Sequence, residues 1–152
     1  MKGSELRQDL VSGDWILIAP GRARKPEEFR RKSRPRKKPK QGCPFEDPQR
    51  SGNGPIIAVY DKDGHLMEPN SKNWALQIFP NKHPAVSHSR TEPEVKKKGP
   101  YLFMKGVGHH DILVTRDHNK NFPKLSKLEG YTVFKAVQDR YLSLLESYDV
   151  VY

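Results

Sequence analysis

The chain has 152 residues, a formal net charge of +10, and 34% hydrophobic against 30% charged residues. That length fits one domain, 1–152, with room for a real core, and the single cysteine excludes an intramolecular disulfide and fits a reducing compartment. No apolar run approaches the ~20 residues of a membrane span, and the opening MKGSELRQDL has no apolar signal segment, so the expectation is a cytoplasmic protein with no membrane partner.

The charge is local. Arg22 to Lys40 holds eleven Lys/Arg and two Glu, whereas the rest of the chain is nearly neutral. The tract RKSRPRKKPK has few apolar residues and two prolines, too little apolar surface to offset ordering. It reads as a flexible basic segment over about 22–42. A nucleic-acid or polyphosphate contact is the alternative, since clustered Lys/Arg release counterions from phosphates. No aromatic interleaves the basic core, which disfavours single-strand stacking.

In chain order, Trp15 to Ala19 is a short apolar strand stopped by Pro20-Gly21. Ile56 to Tyr60 is a second strand, turned by Asp61-Lys62-Asp63-Gly64 into His65-Leu66-Met67, a hairpin. Trp74 to Phe79 alternates as a third strand, and residues 87 to 99 are polar and loop-like. Tyr101 to Met104 is expected to pair with His110 to Thr115. The alternation of that last strand sets His110, Ile112 and Val114 on one face and Asp111, Leu113 and Thr115 on the other. Ser126 and Glu129 form a capping box. After it, Phe134, Val137, Tyr141, Leu144 and Tyr148 recur at helical spacing, widened by Val133 and Leu145. This predicts a helix over 126–148 whose apolar stripe covers a sheet. The fold class is α+β, a mostly antiparallel sheet under one long helix.

Four blocks carry a resemblance: RQDLVSGDWILIAPGRARKP at Arg7–Pro26, CPFE at Cys43–Glu46, FPNKHPAV at Phe79–Val86, and Gly108–Ser126. In that order they resemble the N-terminal half of galactose-1-phosphate uridylyltransferases, of the histidine-triad superfamily. Related adenylyltransferases and nucleotide phosphorylases share such halves. The resemblance implies a histidine-triad-like half fold acting in galactose metabolism. Its partners would be UDP-glucose and a hexose 1-phosphate, with a homodimer as a further expectation. The implied reaction is covalent: a histidine takes the uridylyl group from UDP-glucose and passes it to a second sugar phosphate. In the family the nucleophile lies in a His-Pro-His motif beyond the long helix. None of the six histidines here (His65, His83, His88, His109, His110, His118) stands in such a pair. The expectation is a truncated chain, inactive alone. The different class of reading is a small basic nucleic-acid-binding protein.

The resemblance also implies site residues. Arg22 and Lys25 match the family's nucleotide-contacting basic turn, though they also begin the basic tract. Phe79 and Asn81 match positions lining the nucleotide pocket, although Asn after Pro80 is equally a turn residue. Cys43, Glu46 and His118 match zinc ligands, with Glu46 where many members have a second cysteine. Zinc accepts thiolate, carboxylate and imidazole together, but a lone Cys beside Phe45 is more often a buried small residue. His109 and His110 read as polar strand-start residues, His65 and His88 as surface loop residues. Asp111 is a candidate to orient an adjacent imidazole.

Overall fold

A computed structural model describes residues 3–22, 43–49, 51–89, 91–117 and 120–146. The elements are β1 (Glu5–Gln8), β2 (Trp15–Ile18), β3 (Ala58–Tyr60), β4 (Leu66–Met67), β5 (Leu76–Pro80), β6 (Lys96–Lys98), β7 (Tyr101–Lys105), β8 (Asp111–Thr115) and α1 (Lys127–Leu145). They form two four-stranded antiparallel sheets and one long helix, an α+β fold. The chain divides into two compact units, Met1–Arg36 with His83–His110, and Lys37–Lys82 with Asp111–Tyr152. Most of the basic tract lies outside the described residues. Among the described residues no helix is long and apolar enough to cross a membrane.

The first unit holds the sheet β2-β1-β7-β6. Asp9 closes the β1–β2 turn by accepting the Val11 and Ser12 amides at 2.8 and 2.9 Å. The Ser12 amide, then that of Val11, holds this carboxyl below its ordinary range. Tyr101–Lys105 does not pair with β8, contrary to the sequence expectation. A turn at Gly99 (φ +59°) folds it back on Lys96–Lys98, and its other edge takes β1. The polar stretch therefore contains a strand. Three consecutive lysines at a sheet edge suit that position, because charge discourages further pairing. Gly106 joins the sheet through its amide to the Ser4 carbonyl at 2.8 Å. A Cβ there would meet the Ser4 backbone at 3.1 Å, so any larger residue would require that backbone to give by a few tenths of an ångström.

The second unit is the sheet β4-β3-β5-β8 with α1 on one face. The hairpin at Asp61 forms as the sequence implies. Asp61 Oδ1 accepts the Asp63 and His65 amides, each at 2.8 Å, and Gly64 turns at φ +83°. On the helix side Tyr60, Leu76 and Ile78 pack against Val133 and Ala136. On the opposite side Val59, Trp74, Phe79 and Val114 form a second cluster with Phe45 and Ile56 against it. Both faces of β5 are thus buried, each large apolar side chain contributing about 1.5–3 kcal/mol.

The helix begins at Ser126 with the capping box intact: Ser126 Oγ accepts the Glu129 amide at 3.2 Å, and Glu129 accepts the Ser126 amide at 2.7 Å. Its orientation differs from the sequence expectation. The buried residues are Thr132, Val133 and Ala136, while Phe134 is 65% exposed and Val137, Tyr141 and Leu145 are exposed too. Small residues let the helix approach β5, and polar contacts flank them. The Tyr60 hydroxyl donates to Asp139 at 3.0 Å, and Arg140 Nε donates to Asp111 at 2.8 Å.

Candidate functional site

Strand β5 carries the first candidates. Its register sets Phe79 opposite Ile112 and Pro80 opposite Asp111. Asn81 follows at the strand exit and is half-buried. Phe79 is 0% exposed and belongs to the core cluster, so it fixes the strand from below. Pro80 is flanked by the 51–54 turn, where a Cβ on Gly54 would come within 3.0 Å of the Pro80 ring. This holds the backbone before Asn81 at a fixed place. Arg22 ends the short turn Pro20–Arg22 in the first unit. Its side chain, and all of Lys25, lie outside the described residues.

Cys43 and Glu46 occupy the ends of one turn, closed by the Glu46 amide on the Cys43 carbonyl at 3.1 Å. Phe45 anchors this turn in the second core cluster. The spacing presents a half-buried thiol and a half-buried carboxylate from one short segment, donors that suit zinc. Arg116, one residue past β8, donates to the Glu46 carbonyl at 3.1 Å and lies 4.7 Å over the Trp74 ring. The end of β8 therefore meets the Cys43–Glu46 turn. His118 lies outside the described residues. Among the described residues no three His, Cys, Asp or Glu form a metal-holding group, so the fit to zinc is that of two donors at one turn.

The histidines are more organised than the sequence implies. The Ala85 amide donates to His110 Nδ1 at 2.9 Å, so the neutral ring carries its hydrogen on Nε2. His88 and His109 stand with ring centroids 4.7 Å apart. His65 Nδ1 lies 3.2 Å from Asp61 Oδ2. Asp111 pairs through Oδ2 with Arg140 on α1, a partner that the sequence did not suggest.

Two features had no signal in the sequence. Gln77 is 0% exposed at the centre of β5, and neither amide atom has a partner among the described residues. Alternation alone placed it with Ala75 and Phe79 but gave no hint of burial. A cavity of about 70 Å³ lies among Lys62, Thr115, Arg116, Asp117, Glu129 and Thr132. Sites for drug-sized ligands run to roughly 300 Å³ or more, so this one cannot enclose a nucleotide.

Comparison with known proteins adds one relation. The chain is 31% identical over 113 residues to ADP-glucose phosphorylase of Arabidopsis thaliana, a match covering 72% of this chain. The chain spans 30% of the length of that relative. No family model and no solved structure matches it. The relation is thus to an enzyme named for a sugar nucleotide.

Proposed function

We propose that this chain supplies part of an enzyme that transfers a nucleotidyl group between a nucleoside diphosphate sugar and a phosphate or sugar phosphate. The observation that carries this is the 31% identity to an ADP-glucose phosphorylase over most of the chain. The order of the four sequence blocks agrees with it. In this reading Asn81 contacts the base or ribose, because its amide both donates and accepts, and Phe79 and Pro80 hold it in place. Arg22 and Lys25 neutralise the phosphates, Arg through paired donors and Lys as a point charge.

The reaction would pass through attack on the α-phosphorus, with sugar 1-phosphate leaving and oriented donors holding the phosphate charge. The residues named above are assigned to nucleotide binding, and no histidine among the six here is assigned the nucleophile's role. Zinc, when bound, would serve as a structural cross-link. Cys43 and Glu46 would hold it, and the Arg116 contact already brings the end of β8 to their turn. The relative's name favours an adenine nucleotide, whereas the resemblance to uridylyltransferases favours UDP-glucose and galactose metabolism.

Calorimetric titration with ADP-glucose, UDP-glucose and a random oligonucleotide tests the reading. Saturable binding of one sugar nucleotide, lost in Asn81→Ala, supports it. Binding of neither sugar nucleotide, or oligonucleotide binding that falls steeply with salt and ignores Asn81, overturns it.

A further inference from the structure

His88 and His109 come from segments that the sequence leaves apart, one a surface loop and the other a strand start. In the first unit Ser87 and Val107 form a parallel bridge. The Ser87 amide donates to the Gly106 carbonyl at 3.0 Å, and the Gly108 amide to the Ser87 carbonyl at 3.1 Å. The Ala85 amide on His110 Nδ1 adds a third tie between the same two segments. Both backbones beside the histidines are therefore fixed, and the two exposed rings face each other at 4.7 Å, tilted by 51°. A fixed backbone removes most of the entropy cost of bringing two ligands together.

The distance has chemical content. With metal–nitrogen bonds of about 2 Å, an ion would lie about 3.2 Å from each centroid, and rings 4.7 Å apart would subtend about 95° at it. That is near the right angle of tetragonal copper(II) or nickel(II) and below the tetrahedral angle of zinc. The χ2 torsion of histidine is broad, so rotation about it aims a nitrogen of each ring at the common point. Each ring ligates through one nitrogen and keeps the other for a hydrogen bond.

We infer that His88 and His109 form a two-imidazole site for a divalent transition-metal ion, copper(II) foremost, with its remaining positions open to water or an exogenous oxygen ligand. It uses none of the donors of the Cys43–Glu46 turn, which belong to the other unit. It is also independent of the nucleotide reading above.

Copper(II) titration of the full chain against a competing chromogenic chelator tests it, in wild type, His88→Ala, His109→Ala, His65→Ala and Cys43→Ser. The expected result is one equivalent bound, weakened at least about tenfold in each of His88→Ala and His109→Ala and unchanged in the other two. Wild-type affinity in both His88→Ala and His109→Ala, or a loss confined to Cys43→Ser or His65→Ala, overturns the inference. All four positions are partly or fully exposed, so thermal midpoints close to wild type should accompany any change in binding.

Discussion

Arg140 on α1 donates through Nε to Asp111 Oδ2 at 2.8 Å, and both side chains are mostly buried, 20% and 15% exposed. The pair ties the fourth turn of the helix to the first residue of β8, opposite Pro80 and next to the strand exit that carries Asn81. Partial burial makes it stronger than a surface ion pair, because solvent screens it less. Asp111→Asn should destabilise the fold by about 1–3 kcal/mol. Urea denaturation measures this, and an unchanged midpoint would count against a structural role for the pair.

Tyr60 sits between sheet and helix and donates to Asp139 at 3.0 Å, while Lys135 donates to the same oxygen at 2.8 Å. Burial pushes the Tyr60 phenol up to about 12, and the hydrogen bond and charge of Asp139 add to the shift. The unfolded phenol ionises near 10, so the unfolded state loses its proton first as pH rises. The stability tied to neutral Tyr60 is therefore complete below pH ~10 and is lost as pH climbs toward ~12. Ultraviolet titration should show one late phenol that Tyr60→Phe removes. If all the phenols titrate together near 10, this hydrogen bond does not persist in solution.

The capping box gives an acid-side prediction. Lys120 first, then the Ser126 amide, lowers the Glu129 carboxyl to about 2. A depressed carboxyl contributes stability above its unfolded pKa, and that contribution fades as pH falls from about 4.5 toward about 2. Removing the cap hydroxyl with Ser126→Ala should cost about 1 kcal/mol at neutral pH. Circular dichroism across that acid window should show Glu129→Gln less sensitive to pH than wild type.

Gln77 predicts a gain. Two buried amide atoms without partners among the described residues carry a desolvation cost that leucine avoids. Gln77→Leu, similar in size and surrounded by Val59 and Val114 in the paired strands, should stabilise by about 1–3 kcal/mol. Calorimetry giving a lower midpoint would mean that the amide is satisfied in solution.

The helix orientation is tested by a contrast. Phe134 is exposed and Ala136 fully buried. Phe134→Ala should change stability by no more than about 0.5 kcal/mol, although its edge contact with Phe122 at 5.8 Å is lost. Ala136→Leu should cost about 1–3 kcal/mol or more by overpacking against β5. The reverse ranking would restore the apolar stripe to the sheet.

The chain by itself determined what local rules govern. The Asp61–Gly64 hairpin followed from turn chemistry and the Ser126–Glu129 cap from side-chain reach. Strands β5 and β8 were each legible from alternation, but their pairing was not, since alternation names no partner and the expected neighbour of β8 was Tyr101–Met104. Which face of α1 packs was decided only by the tertiary structure. A hydrophobic count favours Phe134, Val137 and Tyr141, but the sheet accepts the small residues Val133 and Ala136, with Asp139 and Arg140 answering Tyr60 and Asp111 across the interface. The same holds for the Lys96–Lys98 strand, whose residues have poor strand propensity and are held by the β7 ladder. It holds as well for His88 beside His109 and for Arg116 on the Cys43–Glu46 turn. Such contacts join residues far apart in sequence, and no periodicity within either segment encodes its partner.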